Sequence, residues 1–161
     1  MFKHINNMIS IRRAKKDDVK QVYEIYLEFL EEIKKYEPEV TTKHKKKIRA
    51  YVLKELKSHK HIFLLAFNEN KLIGCIKATI NESKPYLIYK KIANFDWIFI
   101  SKKYRRKGVG VKLTRNMEQL LKDRGVEYCY LNVNIKNKDS ISLQSKIGFK
   151  KHWIEFRKVL I

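Results

Sequence analysis

The chain is 161 residues long and has a formal net charge of +20, because 37 Lys and Arg residues outnumber 17 Asp and Glu residues. Its length predicts a single domain over residues 1–161, and its hydrophobic content of 44% excludes a disordered chain. No apolar run is long enough to span a membrane, and the first ten residues lack the apolar core of a signal peptide. We therefore expect a cytoplasmic protein with no membrane contact, in which residues 1–7 are a dispensable lead before Met8.

The high positive charge has two interpretations. It is compatible with an acidic partner such as RNA or the ribosome. However, lysine is spread over nearly every segment, and its short clusters do not form one stripe interleaved with exposed aromatic residues. A generally lysine-rich composition is therefore favoured, and a nucleic-acid or ribosome partner stays open without being favoured.

Apolar spacing and turn residues predict the elements in chain order. In the first half, side chains between Val19 and Ile33 recur at helical spacing, and Asn68-Glu69-Asn70 joins two strand-like runs into a hairpin. The second half alternates strand-like and helical segments. The predicted elements are a strand (8–14), a helix (17–34), a helix (43–58), two hairpin strands (61–68 and 71–80), a long loop (81–92), a strand (95–100), a helix ending at Gly125, a strand (126–133), a short helix (139–146) and a terminal segment from Phe149.

A glycine-containing turn joins the strand at 95–100 to the helix that follows it. The strand reads FDWIFI, and the helix places Leu113, Met117 and Leu121 on one face. Between them, the segment 105–110 (RRKGVG) must bend tightly, which leaves the first N–H groups of the helix without intrahelical acceptors. A helix N-terminus of this kind attracts anions, and three cationic side chains add full charges. The turn therefore predicts a site for a diphosphate or polyphosphate.

Two familiar phosphate motifs do not fit this turn. A P-loop requires Gly-Lys-Ser/Thr, whereas Gly110 is followed by Val111-Lys112-Leu113. A dinucleotide-binding fingerprint requires a third glycine, and position 113 is Leu; it also requires an early parallel βαβ unit, whereas this turn lies two-thirds along the chain.

Two motifs together resemble the GNAT superfamily of N-acyltransferases. The turn reads Arg-x-x-Gly-x-Gly, which resembles the acyl-CoA pyrophosphate loop of that family. The segment 137–149 resembles the family's Asn-x-x-Ala-x-x-Leu-Tyr-x-Lys-x-Gly-Phe signature, with Ser140 in place of Ala. The residues that match this second motif are Asn137, Leu143, Lys146, Gly148 and Phe149. The opening segment 9–19 also looks like the first strand and the start of the first helix of the family.

The resemblance implies an α+β fold, with a mixed, mostly antiparallel twisted sheet flanked by helices in the order β-α-α-β-β-β-α-β-α-β. Because only twelve residues follow Phe149, the last strand must be short or absent. The resemblance also implies acetyl-CoA as the cosubstrate, whose pantetheine arm lies against the main chain of the fourth strand. The residues that would bind it are Ile98, Phe99, Ile100, Arg105, Arg106, Lys107, Gly108, Val109, Gly110, Val111, Asn137 and Lys146.

Asp96 is the candidate general base for acetyl transfer to an amine. Strand alternation predicts that Asp96, Ile98 and Ile100 lie on one face, with Phe95, Trp97 and Phe99 on the other. A carboxylate in so apolar a run is costly unless it opens onto a cleft or finds partners. The resemblance agrees, since many relatives carry an acidic base on this strand. The alternative interpretation is an Asp at a strand edge or in an ion pair with a neighbouring Lys.

Gln144 departs from the family signature, because relatives often have a Tyr there that protonates the departing sulfur. A glutamine amide donates a hydrogen bond but carries no usable acid at neutral pH. The thiolate then leaves with hydrogen-bond or water assistance, or Tyr128, Tyr130 or His152 substitutes, or catalysis is feeble; the first outcome is preferred. Asn137 has an alternative too, as the cap of the last helix, a role that Asp139 is also able to take.

The function implied by the resemblance is acetyl transfer from acetyl-CoA to a primary amine, on a small molecule or a protein N-terminus. The alternatives are a non-catalytic acyl-CoA-binding regulatory module and a basic ribosome- or RNA-associated protein. A homodimer stays open. No metal is expected, because Cys75 and Cys129 lie in separate apolar runs and suit core packing.

Overall fold

A computed structural model describes residues 9–160, which form a five-stranded sheet with helices on both faces. The strands stand in chain order, and neighbours from the first to the fourth are antiparallel, whereas the fifth is parallel to the fourth. The strands are β1 (Ile9–Arg13), β2 (His61–Asn68), β3 (Lys71–Glu82), β4 (Lys91–Ile100) and β5 (Tyr128–Leu131). The helices are α1 (Val19–Ile33), α2 (Lys45–Lys57), α3 (Val109–Asp123) and α4 (Lys138–Lys146), with 3-10 turns at Lys16–Asp18 and Lys102–Tyr104.

Each face of the sheet is covered by its own group of apolar side chains. The face under α3 packs Ile62, Ile73 and Phe95 against the helix stripe of Leu113 and Met117. The opposite face packs strand residues against α1 and α2; its buried members are Val22, Ile25, Val52, Phe63, Leu65, Phe67, Cys75, Trp97 and Phe99. Because β2 and β3 are covered on both faces, their central residues are buried without alternation, as their continuous apolar sequences require.

The last two strands of the sheet separate after a short paired stretch. β4 pairs with β5 only between Ile92 and Phe95, opposite Tyr128 to Leu131. Their parallel direction follows from the α3 crossover that connects them. Beyond Phe95, β4 continues to Ile100 with β3 on one edge, and no strand from residues 9–160 pairs with its other edge. This unpaired edge borders the candidate site.

The predicted fold class is confirmed, and most element boundaries agree with the prediction within a few residues. The loop predicted at 81–92 is shorter, because β3 extends to Glu82 and β4 begins at Lys91. The last strand of the predicted order is not formed: residues 149–160 contain no strand, and all but Phe149 are exposed. The dispensable lead and the start at Met8 fall outside the described residues. Between residues 9 and 160, none of the helices has the length and apolar character needed to cross a bilayer.

Candidate active site

A cavity of about 500 Å³ lies where β4 and β5 separate. β4 from Phe95 to Ile100 forms one wall, and the chain from Leu131 to Asn134 forms the other. The N-terminus of α3 lies against the cavity together with α4, and the end of α1 contributes Phe29, Glu32 and Ile33. The sequence-predicted residues that line it are Asp96, Ile98, Phe99, Ile100, Arg105, Arg106, Gly108, Val109, Gly110, Val111, Asn137, Gln144 and Lys146, whereas Lys107 does not line it.

The N-terminus of α3 presents main-chain donors to the cavity. Gly108 takes the N-cap position with a φ of 79°, and no side chain caps the helix. The N–H groups of Val109, Gly110 and Val111 belong to the first turn and therefore lack intrahelical acceptors. A Cβ on Gly110 would lie 3.1 Å from Leu143 Cδ2 of α4, so this glycine permits the two helices to approach closely. The arrangement is suited to binding an anion.

The three cations of the turn already have partners within the protein. Arg105 donates from Nε to the carbonyl oxygen of Ile100 at 2.8 Å, and its Nη2 lies 2.5 Å from Glu32 Oε2 of α1. Arg106 pairs with Asp139 at the start of α4, where both side chains are largely exposed. Lys107 Nζ lies 5.7 Å from the centre of the Tyr104 ring. Arg105 therefore ties the turn to β4 and α1, whereas Arg106 and Lys107 remain accessible to solvent.

The unpaired edge of β4 brings main-chain groups to the cavity at three of the predicted positions. Ile98, Phe99 and Ile100 pair with Ile76, Cys75 and Gly74 of β3, so their backbone is held on one side only. The carbonyl oxygen of Ile100 accepts a hydrogen bond from Arg105 Nε.

Asp96 occupies a β-bulge in the middle of β4. Lys77 pairs with Trp97 and Ala78 pairs with Phe95, so Asp96 has no partner across the strand pair. The extra residue breaks the alternation, and Phe95 packs on the α3 face with Ile98 and Ile100 instead of with Trp97 and Phe99. The predicted division of β4 into two faces was therefore wrong at both Phe95 and Asp96, because strict alternation does not hold across a bulge: Asp96 lies beside Lys77 and Thr79, on the face opposite Ile98 and Ile100.

The Asp96 carboxylate is held by three neighbouring side chains. Its Oδ2 accepts from the Thr79 hydroxyl at 2.5 Å and lies 3.1 Å from Lys77 Nζ, and its Oδ1 accepts from Asn94 Nδ2 at 2.8 Å. Lys77 is only 3% exposed and pairs also with Glu55 of α2. The ion-pair interpretation of Asp96 therefore holds geometrically, and the same carboxylate also lines the cavity.

The Lys77 ammonium has further contacts that keep it in place between α2 and the sheet. Its Nζ lies 5.8 Å from the ring centres of both Tyr51 and Phe63. Burial, together with a hydrogen bond to Glu55, raises the pKa of Tyr51 well above its usual value, and burial raises that of Tyr26. Both phenols are therefore neutral hydrogen-bonding groups in the physiological range.

The second predicted motif forms the turn into α4 and the helix itself. Asn137 is the N-cap of α4, and its side chain accepts from the Ser140 N–H at 3.1 Å, so the capping interpretation of Asn137 holds, whereas Asp139 pairs with Arg106. Gln144 is buried at the cavity wall, and Lys146 lies at its exposed rim.

The three proposed substitutes for the missing acid lie elsewhere. Tyr128 and Tyr130 stack on the exposed outer side of β5, and His152 packs against Trp153. None of the three lines the cavity, whereas Tyr36 and Tyr104 do.

The acetyltransferase (GNAT) family matches this chain over residues 19–149, which include both motifs and every strand of the sheet except β1. The chain belongs to the acetyltransferase (GNAT) family. It is therefore an acyltransferase of the N-acetyltransferase type, and the resemblance inferred from the two motifs is confirmed.

Two N-acetyltransferases are similar to this chain in sequence. An N-alpha-acetyltransferase of Saccharolobus solfataricus is 27% identical over 149 residues, which are 88% of this chain and 80% of the relative. A spermidine N(1)-acetyltransferase of Thermoplasma acidophilum is 30% identical over 89 residues, which are 55% of this chain and 50% of the relative.

Solved GNAT structures share the fold at low sequence identity. An aminoglycoside acetyltransferase from an uncultured soil metagenomic sample superposes with a TM-score of 0.78 at 17% identity, covering 98% of this chain and 100% of the other. An aminoglycoside N-acetyltransferase in complex with CoA superposes with a TM-score of 0.77 at 16% identity, covering 98% and 99% of the two chains. At these identities the likeness concerns the fold.

Sequence reasoning missed several polar residues of this GNAT site. Lys77 and Thr79 of β3 and Glu55 of α2 come together beside Asp96 only in the folded chain. One signal was present: Lys77 interrupts the otherwise apolar and small sequence LIGCIKATI, and a charge at such a position requires a buried partner. The bulge at Asp96 had no comparable signal.

The two cysteines do not form a disulfide, and Cys75 is fully buried, with a pKa raised by that burial. In the described part of the chain, no cluster of three or more His, Cys, Asp or Glu side chains is arranged to hold a metal ion.

Proposed function

We propose that this GNAT enzyme transfers the acetyl group of acetyl-CoA to a primary amine of a small molecule or of a protein N-terminus. The observation that carries the proposal is one cavity that connects the uncapped N-terminus of α3 to the Asp96 carboxylate. Asp96 and Ile100 are four residues apart on β4, a distance of about 13 Å along a strand. An elongated thioester with an anionic end fits a cavity of this form.

The residues at the α3 end suit the diphosphate of CoA. The N–H groups of Val109, Gly110 and Val111 supply donors, and the space around Gly108 is open: a Cβ there would meet no atom within 4 Å. Lys107, Arg106 and Lys146 add positive charge near the entrance. The free edge of β4 at Ile98 and Phe99 would bind the pantetheine arm by main-chain hydrogen bonds, and Asn137 would contribute from the start of α4.

At the other end of the cavity, Asp96 accepts a proton from the incoming ammonium group. The neutral amine then attacks the thioester carbonyl carbon, whose oxygen is polarised by main-chain N–H groups of β4. The carbon–sulfur bond breaks, the second amine proton goes to the sulfur, and the buried Gln144 amide assists by hydrogen bonding to the leaving group. Net, one proton remains on Asp96 and passes to solvent.

The names of two relatives both state acetylation at nitrogen, as an N-alpha-acetyltransferase for one and a spermidine N(1)-acetyltransferase for the other. Acidic side chains line the cavity in an otherwise basic protein, and they include Asp96, Glu32 and Glu37. Glu37 accepts from Asn134 Nδ2 at 2.9 Å, and this hydrogen bond, with the charge of Arg157, lowers the pKa of its carboxyl group. Such a wall favours a cationic acceptor.

The test combines turnover with cofactor binding. Release of free thiol from acetyl-CoA is measured against a panel of amines and of peptides with free N-termini, and CoA affinity is measured by calorimetry. Gly108→Glu is expected to weaken CoA binding by about 100-fold or more, since a carboxylate at the diphosphate site adds like-charge repulsion of several kcal/mol.

Gly125→Glu is the matched control for the Gly108 variant. Gly125 has a φ of 75° and open space around it, so the substitution imposes the same backbone strain at the other end of α3. CoA affinity should therefore stay close to that of the unaltered protein. Equal losses in the two variants would refute the diphosphate site, and CoA binding without turnover on any acceptor would identify a non-catalytic module instead.

A further inference from the structure

Asp96 is linked through Thr79 to a histidine at the start of β2. Thr79 Oγ1 donates to Asp96 Oδ2 at 2.5 Å, and on its other side it lies 2.8 Å from His61 Nδ1. The bulge creates this contact, because the register shift between Lys77 and Ala78 leaves the Asp96 side chain on the same face as Lys77 and Thr79. His61 lies opposite Thr79 in the β2–β3 ladder, so the three side chains form a row across three strands.

The direction of these hydrogen bonds follows from counting protons. A threonine hydroxyl carries one proton and two acceptor lone pairs. Because an ionised Asp96 has no proton to donate, the Thr79 proton must be the one in the bond to Oδ2. The bond between His61 and Thr79 therefore requires a proton on His61 Nδ1, so His61 donates to Thr79 and Thr79 donates to Asp96.

We propose that Thr79 and His61 are positioning residues for the acetyl transfer, a proposal that rests on the function proposed above. His61 Nδ1–H occupies the acceptor side of the Thr79 hydroxyl and thereby directs its single proton to Asp96 Oδ2. Lys77 Nζ lies 3.1 Å from the same oxygen. Among residues 9–160, Oδ1 accepts a hydrogen bond from Asn94 alone, so Oδ1 is the oxygen that takes the proton of the ammonium group.

The proton balance of the step is simple. The amine nitrogen loses one N–H bond as Asp96 Oδ1 gains an O–H bond, and the freed nitrogen lone pair forms the new bond to the acetyl carbon. The Thr79 hydroxyl keeps its own proton throughout. Its bond to Oδ2 favours the carboxylate over the acid, which returns Asp96 to its ionised form after each turnover.

The charges around His61 determine its protonation. Glu55 of α2 lies 3.5 Å from Nε2, Lys77 and Thr79 face the ring from β3, Asp96 from β4, and Lys60 precedes it on the chain. Burial, followed by the charge of Lys77, lowers the pKa of His61 below its usual value. The imidazole is therefore neutral near pH 7 and carries a single proton, which the hydrogen-bonded row assigns to Nδ1.

The kinetic test compares Thr79→Val with Thr79→Ser. Valine has a similar shape without the hydroxyl, whereas serine keeps the donor. We expect Thr79→Val to lower kcat about tenfold or more with little change in KM, since a hydrogen bond to a charged group is lost. The lower-pH midpoint of the kcat profile should move to higher pH, and Thr79→Ser should restore both properties. Unchanged kinetics in Thr79→Val would overturn the proposal.

A spectroscopic test does not depend on turnover. Nitrogen-15 NMR of the imidazole groups distinguishes the Nδ1–H and Nε2–H tautomers, and the exposed His59 and His152 serve as internal references. We expect His61 to be the Nδ1–H tautomer in the unaltered protein and to lose this preference in Thr79→Val but not in Thr79→Ser. An Nε2–H tautomer in the unaltered protein would refute the row of hydrogen bonds.

The two tests separate this proposal from the proposed function. If no amine or peptide is acetylated but His61 is the Nδ1–H tautomer, the row of hydrogen bonds stands and the proposed function fails. If acetylation occurs and the Thr79→Val profile is unchanged, the proposed function stands and the positioning roles fail.

Discussion

The two ends of the cavity are built in different ways. At the α3 end, the groups that suit an anion are main-chain N–H donors, and the nearby side chains are exposed or tied to other parts of the protein. At the Asp96 end, the position of the carboxylate depends on contacts among side chains from α2, β2, β3 and β4. The first end follows from the conformation of a short segment, whereas the second requires four elements in register. The two ends should therefore respond differently to substitution.

The largest expected effect is at the Asp96 end. Asp96→Asn removes the proposed proton acceptor, so kcat should fall by about 10² to 10⁴-fold, as general-base catalysis contributes that much. CoA affinity should be retained, because the α3 end is untouched. Thiol-release assays and calorimetry measure the two quantities. Asp139→Asn, an exposed carboxylate at the opposite end, is the control; turnover of Asp96→Asn equal to that of the control would eliminate Asp96 as the base.

Substitution of a side chain at the α3 end should have a much smaller effect. Arg106 has a φ of 59°, and Asn tolerates this conformation, so Arg106→Asn removes the charge with little strain. Its ion pair with Asp139 is exposed and contributes little. We expect CoA affinity to fall less than about fivefold, and we expect the difference in affinity between Arg106→Asn and the unaltered protein to shrink at high salt. A loss as large as that of Gly108→Glu would mean that side chains, not N–H donors, hold the phosphates.

The smallest expected effect is a change in the pH dependence of the unfolding free energy, and it arises from His61 at the Asp96 end. The pKa of His61 is lowered in the folded chain from its usual value of 6.5, mainly by burial. As the pH falls, His61 therefore takes up a proton in the unfolded chain at a higher pH than in the folded chain. The free energy that neutral His61 contributes to folding is complete above about pH 6.5, and it is lost as the pH falls through the pKa of His61 in the folded chain.

Urea unfolding between pH 7.5 and 5.5 measures this contribution. His61→Gln should reduce the decline in unfolding free energy over that range, whereas the exposed His59→Gln should leave it unchanged. Identical pH dependence in the two variants would contradict the lowered pKa of His61.

The sequence predicted the turn and the helix of the α3 end, because both are specified by residues close together in the chain. A glycine at the N-cap, the absence of a capping side chain and an amphipathic helix downstream are all encoded within a few residues. The structure accordingly has Gly108 in the left-handed conformation and the α3 stripe of Leu113, Met117 and Leu121 buried. Most strands and helices were also predictable from the sequence, because each depends on the spacing of apolar residues within its own segment.

The Asp96 end was only partly predictable. Asp96 was identified by its cost in an apolar strand, but its neighbours Lys77, Thr79 and His61 come from positions that are distant in sequence. The bulge also reversed the expected faces of Phe95 and Asp96. A bulge depends on how two strands pair, and no pattern within β4 alone records it.

The sequence by itself determined the family, the order of elements as far as α4 and the tight turn that begins α3, because these depend on short-range spacing and on backbone conformations that few residues adopt. Only the tertiary structure decided which atoms surround the Asp96 carboxylate, since strand register and a single extra residue in β4 set those contacts. The physical reason is the range of the interactions: a helix start is specified within one turn of chain, whereas a buried ion pair needs partners whose positions depend on the packing of the whole sheet.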